Sequence, residues 1–174
     1  MTTTTLAPPT RWTVDPTRSR LTIGTRIGGL LPVRGRFTDV AGRIRLGAAP
    51  ADSRIEIAVR TGSLTSGNAA TDRMLHASGL VDPAAGPVLR FRSTRLVAAD
   101  DGWLLDGELS TERGSRPLRL GLRCRHGATL LAVAGGEIDR ADVGFLLARP
   151  GAEALLGARS PLDLRIEAAP VQTS

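Results

Sequence analysis

The chain has 174 residues, 41% of them hydrophobic, and a formal net charge of +6 in which every basic residue is Arg. That length and apolar content suit one domain with a real core and exclude a disordered chain. Aromatics are only 3%, with no Tyr, too few to stack bases, and the Arg residues are spread along the whole chain, which argues against a nucleic-acid partner.

Residues 1 to 10 read as a flexible Thr/Pro tail. It has no basic start and no apolar run, so no secretory signal is expected. No stretch reaches the ~20 apolar residues of a membrane helix, and a single cysteine, Cys124, excludes an intrachain disulfide. The expectation is a cytoplasmic protein.

Strand signals then recur between turn residues. Leu21, Ile23 and Ile27 open the series. Val33, Gly35 and Phe37 share one face, and Gly42, Ile44 and Leu46 continue it after a bend at Thr38-Asp39. Ile55, Ile57 and Val59 alternate with Glu56 and Arg60. Asn68 to Ser78 breaks the rhythm and reads as a short helix, with Asn68 as N-cap, Asp72 in the first turns and Gly79 beyond. Leu89 and Phe91 begin a further strand. Trp103, Leu105, Gly107 and Leu109 follow it through Asp100-Asp101-Gly102, a hairpin turn. Leu118, Leu120, Leu122 and Cys124 alternate with polar neighbours, Leu130 to Ile138 is more apolar, Glu153 to Leu156 reads as one helical turn, and Leu162 to Ala168 closes the series.

One apolar face on about eight strands predicts an all-β fold: a closed, eight-stranded antiparallel up-and-down barrel with one short helix. Closure removes the edges that a long meander would expose, and eight strands leave room for side chains or one small ligand. The Arg residues that alternate with apolar ones, as in Arg43-Ile44-Arg45, read as a solvated outer face. A positive surface also favours weak association with anionic membrane.

Several features invite chemistry. Cys124 and His126 share a strand face and could pair as nucleophile and base, but Cys124 continues an apolar row and reads as a small core hydrophobe. Two His residues are too few for a metal site. Gly24 to Gly29 lacks the Lys-Ser/Thr ending of a phosphate loop. Trp12 reads as a packing Trp whose indole N–H finds a partner, able also to cover one barrel end. Asp15-Pro16 with Ser19 reads as a turn device. Gly35, Gly42 and Gly107 read as bends, and Asp139, Arg140 and Asp142 as an ion pair or turn. No catalytic residue, metal or cofactor is called for.

Trp12-Thr13-Val14-Asp15-Pro16 with Ser19, Val33-Arg34-Gly35-Arg36-Phe37 leading to Gly42, Asn68 with Asp72, Leu75 and Asp82, and Asp139-Arg140 with Asp142 and Gly144 stand in an order and spacing that resemble the YceI-like family of lipocalin-like barrels. The resemblance covers residues 11 to 169 and leaves 170–174 as a C-terminal tail. It implies an apolar interior that holds a polyisoprenoid or similar long lipid. Arg18 and Met74 stand where the family usually carries His, and Leu80-Val81 and Val143 where it carries aromatics.

The combined reading is a non-enzymatic carrier or sequestering protein for a long apolar molecule, with one elongated cavity. The expected lining is Leu21, Ile23, Phe37, Ile44, Ile57, Met74, Leu75, Phe91, Leu105, Leu109, Leu120, Leu122 and Phe145. Arg34, Arg36 and Arg140 are the candidate head-group contacts. The rival reading is a filled-core barrel serving as a stress-related or protein-interaction module.

Overall fold

Alternation of apolar and polar residues decides the fold, because a strand that buries every second side chain must find a partner face. The structure is a computed structural model in which residues 10–171 are described; the expected tails lie outside these residues, except that the first strand takes in Thr10 and the last Pro170. The strands are β1 (Thr10–Val14), β2 (Arg20–Ile27), β3 (Leu31–Phe37), β4 (Val40–Leu46), β5 (Arg54–Arg60), β6 (Leu64–Thr65), β7 (Val88–Ala99), β8 (Gly102–Thr111), β9 (Gly114–His126), β10 (Leu130–Asp139) and β11 (Arg159–Pro170). Helix α1 spans Ala69–Ala77 and the short α2 Arg140–Val143.

Three barrel strands are each broken into two pieces. β1 and β2 run along β4 and β3, with Trp12 opposite Ile44 and Leu21 opposite Phe37. β5 and β6 likewise face β4 and β3. β11 closes the ring on both pieces of the first strand, with Ala168 opposite Val14 and Leu164 opposite Leu21. The result is the eight-stranded antiparallel barrel, every turn of the meander joining neighbours.

The break in the first strand is the turn read in the sequence. The Asp15 carboxylate accepts from the Thr17 N–H at 2.8 Å and the Thr17 hydroxyl at 2.6 Å, bonds that hold it below the usual carboxylate range. Ser19 Oγ accepts from the Glu167 N–H at 3.1 Å and so stitches the turn to β11. The glycines expected as bends turn out to be places of close approach. A Cβ on Gly107 would stand 2.3 Å from the Phe91 ring, and one on Gly35 2.6 Å from Leu64. These side chains enter the lumen across the bare backbone of a neighbouring strand.

The two ends of the barrel differ. At the lid end, α1 with Leu80-Val81 and the segment from α2 to Ala158 fold over the opening. At the Trp12 end, the strands stop around Trp12, Leu46 and Leu130.

Candidate functional site

Inward side chains leave two apolar chambers. The larger, about 100 Å³, lies under the lid, and the smaller, about 50 Å³, lies toward the Trp12 end. Ile57, Phe91, Leu120 and Leu164 border both and form a waist between them. They come from β5, β7, β9 and β11, and Ile57 stands directly opposite Phe91 on the neighbouring strand. The lumen is therefore more filled than the single elongated cavity expected from the sequence. The waist is the reason: Phe91 reaches in over Gly107, where no side chain opposes it.

Hydrocarbon makes up nearly all of the lining. Thr61 is the polar side chain of the upper chamber, and its hydroxyl already donates to the Pro87 carbonyl at 2.8 Å. The lower chamber has only the Cys124 thiol. Among the described residues, no charged side chain lines either space. Apolar voids of this kind stay dry and favour apolar guests.

Leu21, Ile23, Phe37, Ile57, Phe91, Leu109 and Leu120 line the upper chamber, and Ile44, Leu105 and Leu122 the lower. Met74, Leu75 and Phe145 line neither. Leu75 is buried one layer out, where its carbonyl accepts from the N–H groups of Leu80 and Val81. Met74 packs beside it, half-buried. Phe145 is half-buried under the Arg116 guanidinium, 5.7 Å from its ring centre. The walls also include residues not expected. Val59, Leu64, Leu89, Leu118, Ile138 and Leu162 continue the alternating rows, while Leu80, Val81, Val143, Leu146 and Leu147 descend from the lid.

The three arginines stand outside the lumen. Arg34 pairs with Asp163 at 3.1 Å on the outer face, and Arg36 is exposed beside it in the same alternation. Arg140 donates to the Leu156 carbonyl at 3.2 Å and so ties the lid down. Its neighbours do the same work: Asp139 pairs with Arg159 at 3.5 Å and Asp142 with Arg116 at 3.1 Å.

The lid is fastened by backbone bonds. Arg113 donates to the Leu147 carbonyl, and the Arg149 N–H donates to the Gly79 carbonyl at 2.9 Å, joining the two lid segments. Helix α1 is capped as expected, Asn68 Oδ1 accepting from the N–H groups of Ala70 and Thr71 at 3.0 Å. Asp72 accepts from Ser66 Oγ at 2.6 Å, Thr65 Oγ1 at 2.7 Å and the Ser66 N–H at 2.7 Å, which holds its carboxyl low and clamps the helix to β6.

At the other end, Trp12 is 3% exposed and its ring lies 6.5 Å from that of His126. Its indole N–H meets no acceptor among the described residues, contrary to expectation. Cys124 is not core but exposed at this rim, because the pairing of β9 with β8 ends at Leu122 and leaves that side of Cys124 uncovered. Burial of one side of the thiol still pushes its pKa up, which leaves it a poor nucleophile. Among the described residues, no group of three or more His, Cys, Asp or Glu is placed to hold a metal, and no helix is long and apolar enough to cross a membrane.

The model of one protein family, described as the YceI-like domain, matches residues 12–168. No curated protein matches the sequence. Among solved structures, BcnA of Burkholderia cenocepacia is similar with a TM-score of 0.73 at 14% identity, over 88% of this chain and 98% of that one. The YCEI protein of Campylobacter jejuni gives 0.63 at 19% identity, over 81% and 86%. A polyisoprenoid binding domain from Saccharophagus degradans gives 0.61 at 14% identity, over 92% and 98%. At these identities the likeness is one of fold.

Proposed function

The chain belongs to the YceI-like family, and from that premise we propose that it binds an isoprenoid-like or similar lipid chain in the barrel interior and carries or sequesters it. The observation that supports this reading is a lumen walled almost wholly by hydrocarbon, with no ionised group among the described residues facing it. The similar domain of Saccharophagus degradans is a polyisoprenoid binding one, which makes that ligand class the first to test. Binding rather than turnover is the reading, since burial pushes the Cys124 thiol pKa up, away from what a nucleophile needs.

The chambers are small. A void of about 150 Å³ in another protein accepts benzene, and each chamber here is below that. A long chain therefore requires the waist residues to change rotamer, so that the two spaces merge. Affinity comes from burying the chain, at roughly 25 cal/mol per Å² before ordering costs. With no charge inside, head-group selectivity is weak.

Native mass spectrometry of protein purified from its own host identifies the ligand. Titration with a medium-length isoprenoid alcohol and its phosphate tests the rest: the two should bind within about tenfold, under ~1.4 kcal/mol apart, and any phosphate advantage should fade with salt. A hundredfold preference that survives high salt would reveal an anion site and overturn the assignment of Arg34, Arg36 and Arg140 to the outer face and lid. The small volume of the chambers also favours a second reading, a filled-core interaction module. Absence of any bound lipid, together with flat titrations, would establish that reading instead.

A further inference from the structure

We propose that the tip of the β2–β3 hairpin docks the lid end of the barrel on an anionic membrane surface. Leu30, at 85%, is the most exposed large apolar residue among those described, and Leu31 beside it is 49% exposed. Burying neither contributes anything to the fold, and two adjacent leucines held in water call for another medium. The tip is made to protrude. Gly28 and Gly29 turn the chain at φ +60° and +76°, and a Cβ on either would meet nothing within 4 Å. A third exposed leucine, Leu155, adjoins it, its carbonyl accepting from the Gly28 N–H at 2.8 Å.

Charge identifies the occupant. Residues 20–37 contain four Arg and no Asp or Glu. Arg26, in register with Pro32 next to the tip, and Arg34 and Arg36 further along β3 stand exposed on the strands that carry the leucines, and Arg34 alone of the three has an ion-pair partner among the described residues. An apolar point with a cationic collar matches a bilayer, whose hydrocarbon lies just beneath anionic head groups. A protein partner would need a matching groove for a narrow, convex tip.

The position gives the contact a purpose. Gly157 N–H donates to Thr25 Oγ1 at 3.4 Å, so the hairpin is fastened to the segment that carries Val143, Leu146 and Leu147 over the upper chamber. Docking here sets the lid against the membrane from which a lipid would be taken. This purpose rests on the apolar-ligand reading; the docking itself does not, and its test uses no ligand.

Flotation of the full chain with phosphatidylcholine vesicles, with and without phosphatidylglycerol, tests the inference. The wild type should float with the anionic vesicles, less at high salt. Leu30→Ser with Leu31→Ser should reduce bound protein at least tenfold with an unchanged melting temperature, and Arg26→Gln with Arg36→Gln should remove the preference for anionic lipid. As a check that spares the leucine pair's fold, Leu30→Cys in a Cys124→Ser chain, labelled with an environment-sensitive dye, should shift to the blue on anionic vesicles. Wild type that stays unbound, or a double serine variant that floats like it, overturns the proposal. So does a dimer that the serine variant converts to monomer without any flotation, which would make the tip an interface between copies. Failure to bind an isoprenoid in vesicle-free titration would remove the purpose and leave the docking standing.

Discussion

The two ends of this barrel close in different ways. At the lid end, two loop segments cross the opening and send Leu80, Val81, Val143, Leu146 and Leu147 down as a ceiling. Their backbones are tied by Arg113, Arg140 and the Arg149–Gly79 bond. At the other end no segment among the described residues crosses. Trp12 is buried there, and Cys124 and His126 are exposed. A ceiling held by a few hydrogen bonds can open locally without disturbing the ladders, whereas moving Trp12 means parting β1 from both β4 and β11. We therefore propose access at the lid end, with the Trp12 end as the fixed base.

Removing the layer between the ends should have the largest effect. Phe91→Ala should cost ~3–5 kcal/mol, because the ring fills the waist and covers the bare backbone of Gly107. It should also join the two chambers and improve uptake of a bulky apolar probe. Urea denaturation gives the first quantity and titration the second. A loss under ~1 kcal/mol would mean that the waist is already loose, and that base and lid are not separated at all.

A smaller effect is expected at the clamp of the lid. Asp72→Ala removes three hydrogen bonds to an ionised carboxylate and should cost ~1–2 kcal/mol. The folded state holds the Asp72 carboxyl below its unfolded value of about 3.9. The contribution is therefore complete above that value and is lost as pH falls through the lower, folded one. Wild type and variant should differ at neutral pH and converge in acid, the difference appearing first in amide exchange over 66–87 and not around Trp12. Equal exchange protection in the two proteins would break the assignment of this end as the movable one.

Much of this contrast was legible in the sequence, and the illegible parts share a cause. Period-two alternation places Leu21, Phe37, Ile57, Phe91 and Leu120 inside because a pleat permits no other choice. Asn68 and Gly79 bound α1 by capping chemistry that needs no tertiary knowledge. The ceiling has no period: Val143 and Leu146-Leu147 are apolar residues in irregular backbone, and nothing local says that they point inward. The one available signal was that Leu80-Val81 and Val143 stand at aromatic positions of the resembled family. Met74 and Leu75 were expected in the lining, but the helix lies one layer out, and Leu80 and Val81 after it line the chamber instead. Alternation also does not say where a neighbouring strand begins, and so it carried Cys124 into the core, although along β9 the buried row stops at Leu122, where the pairing with β8 ends.

That misplaced cysteine gives the finest test of the comparison. Cys124→Ala at an exposed site should change stability by less than ~0.5 kcal/mol; a core cysteine would cost more. In the wild type, a thiol reagent should label Cys124 in the folded protein, but more slowly than a free cysteine at neutral pH, since burial of one side of the thiol keeps it protonated. The rate should rise with pH as the thiolate forms. Because Cys124 also lines the lower chamber, a bound chain that crosses the waist should protect it, while a guest confined beneath the lid should not. Titrating guests of increasing length against the labelling rate thus reads how far each penetrates. Protection should begin only at lengths that span both chambers. If even the shortest guest protects Cys124, entry runs through the Trp12 end, and the roles assigned here to the two ends are reversed.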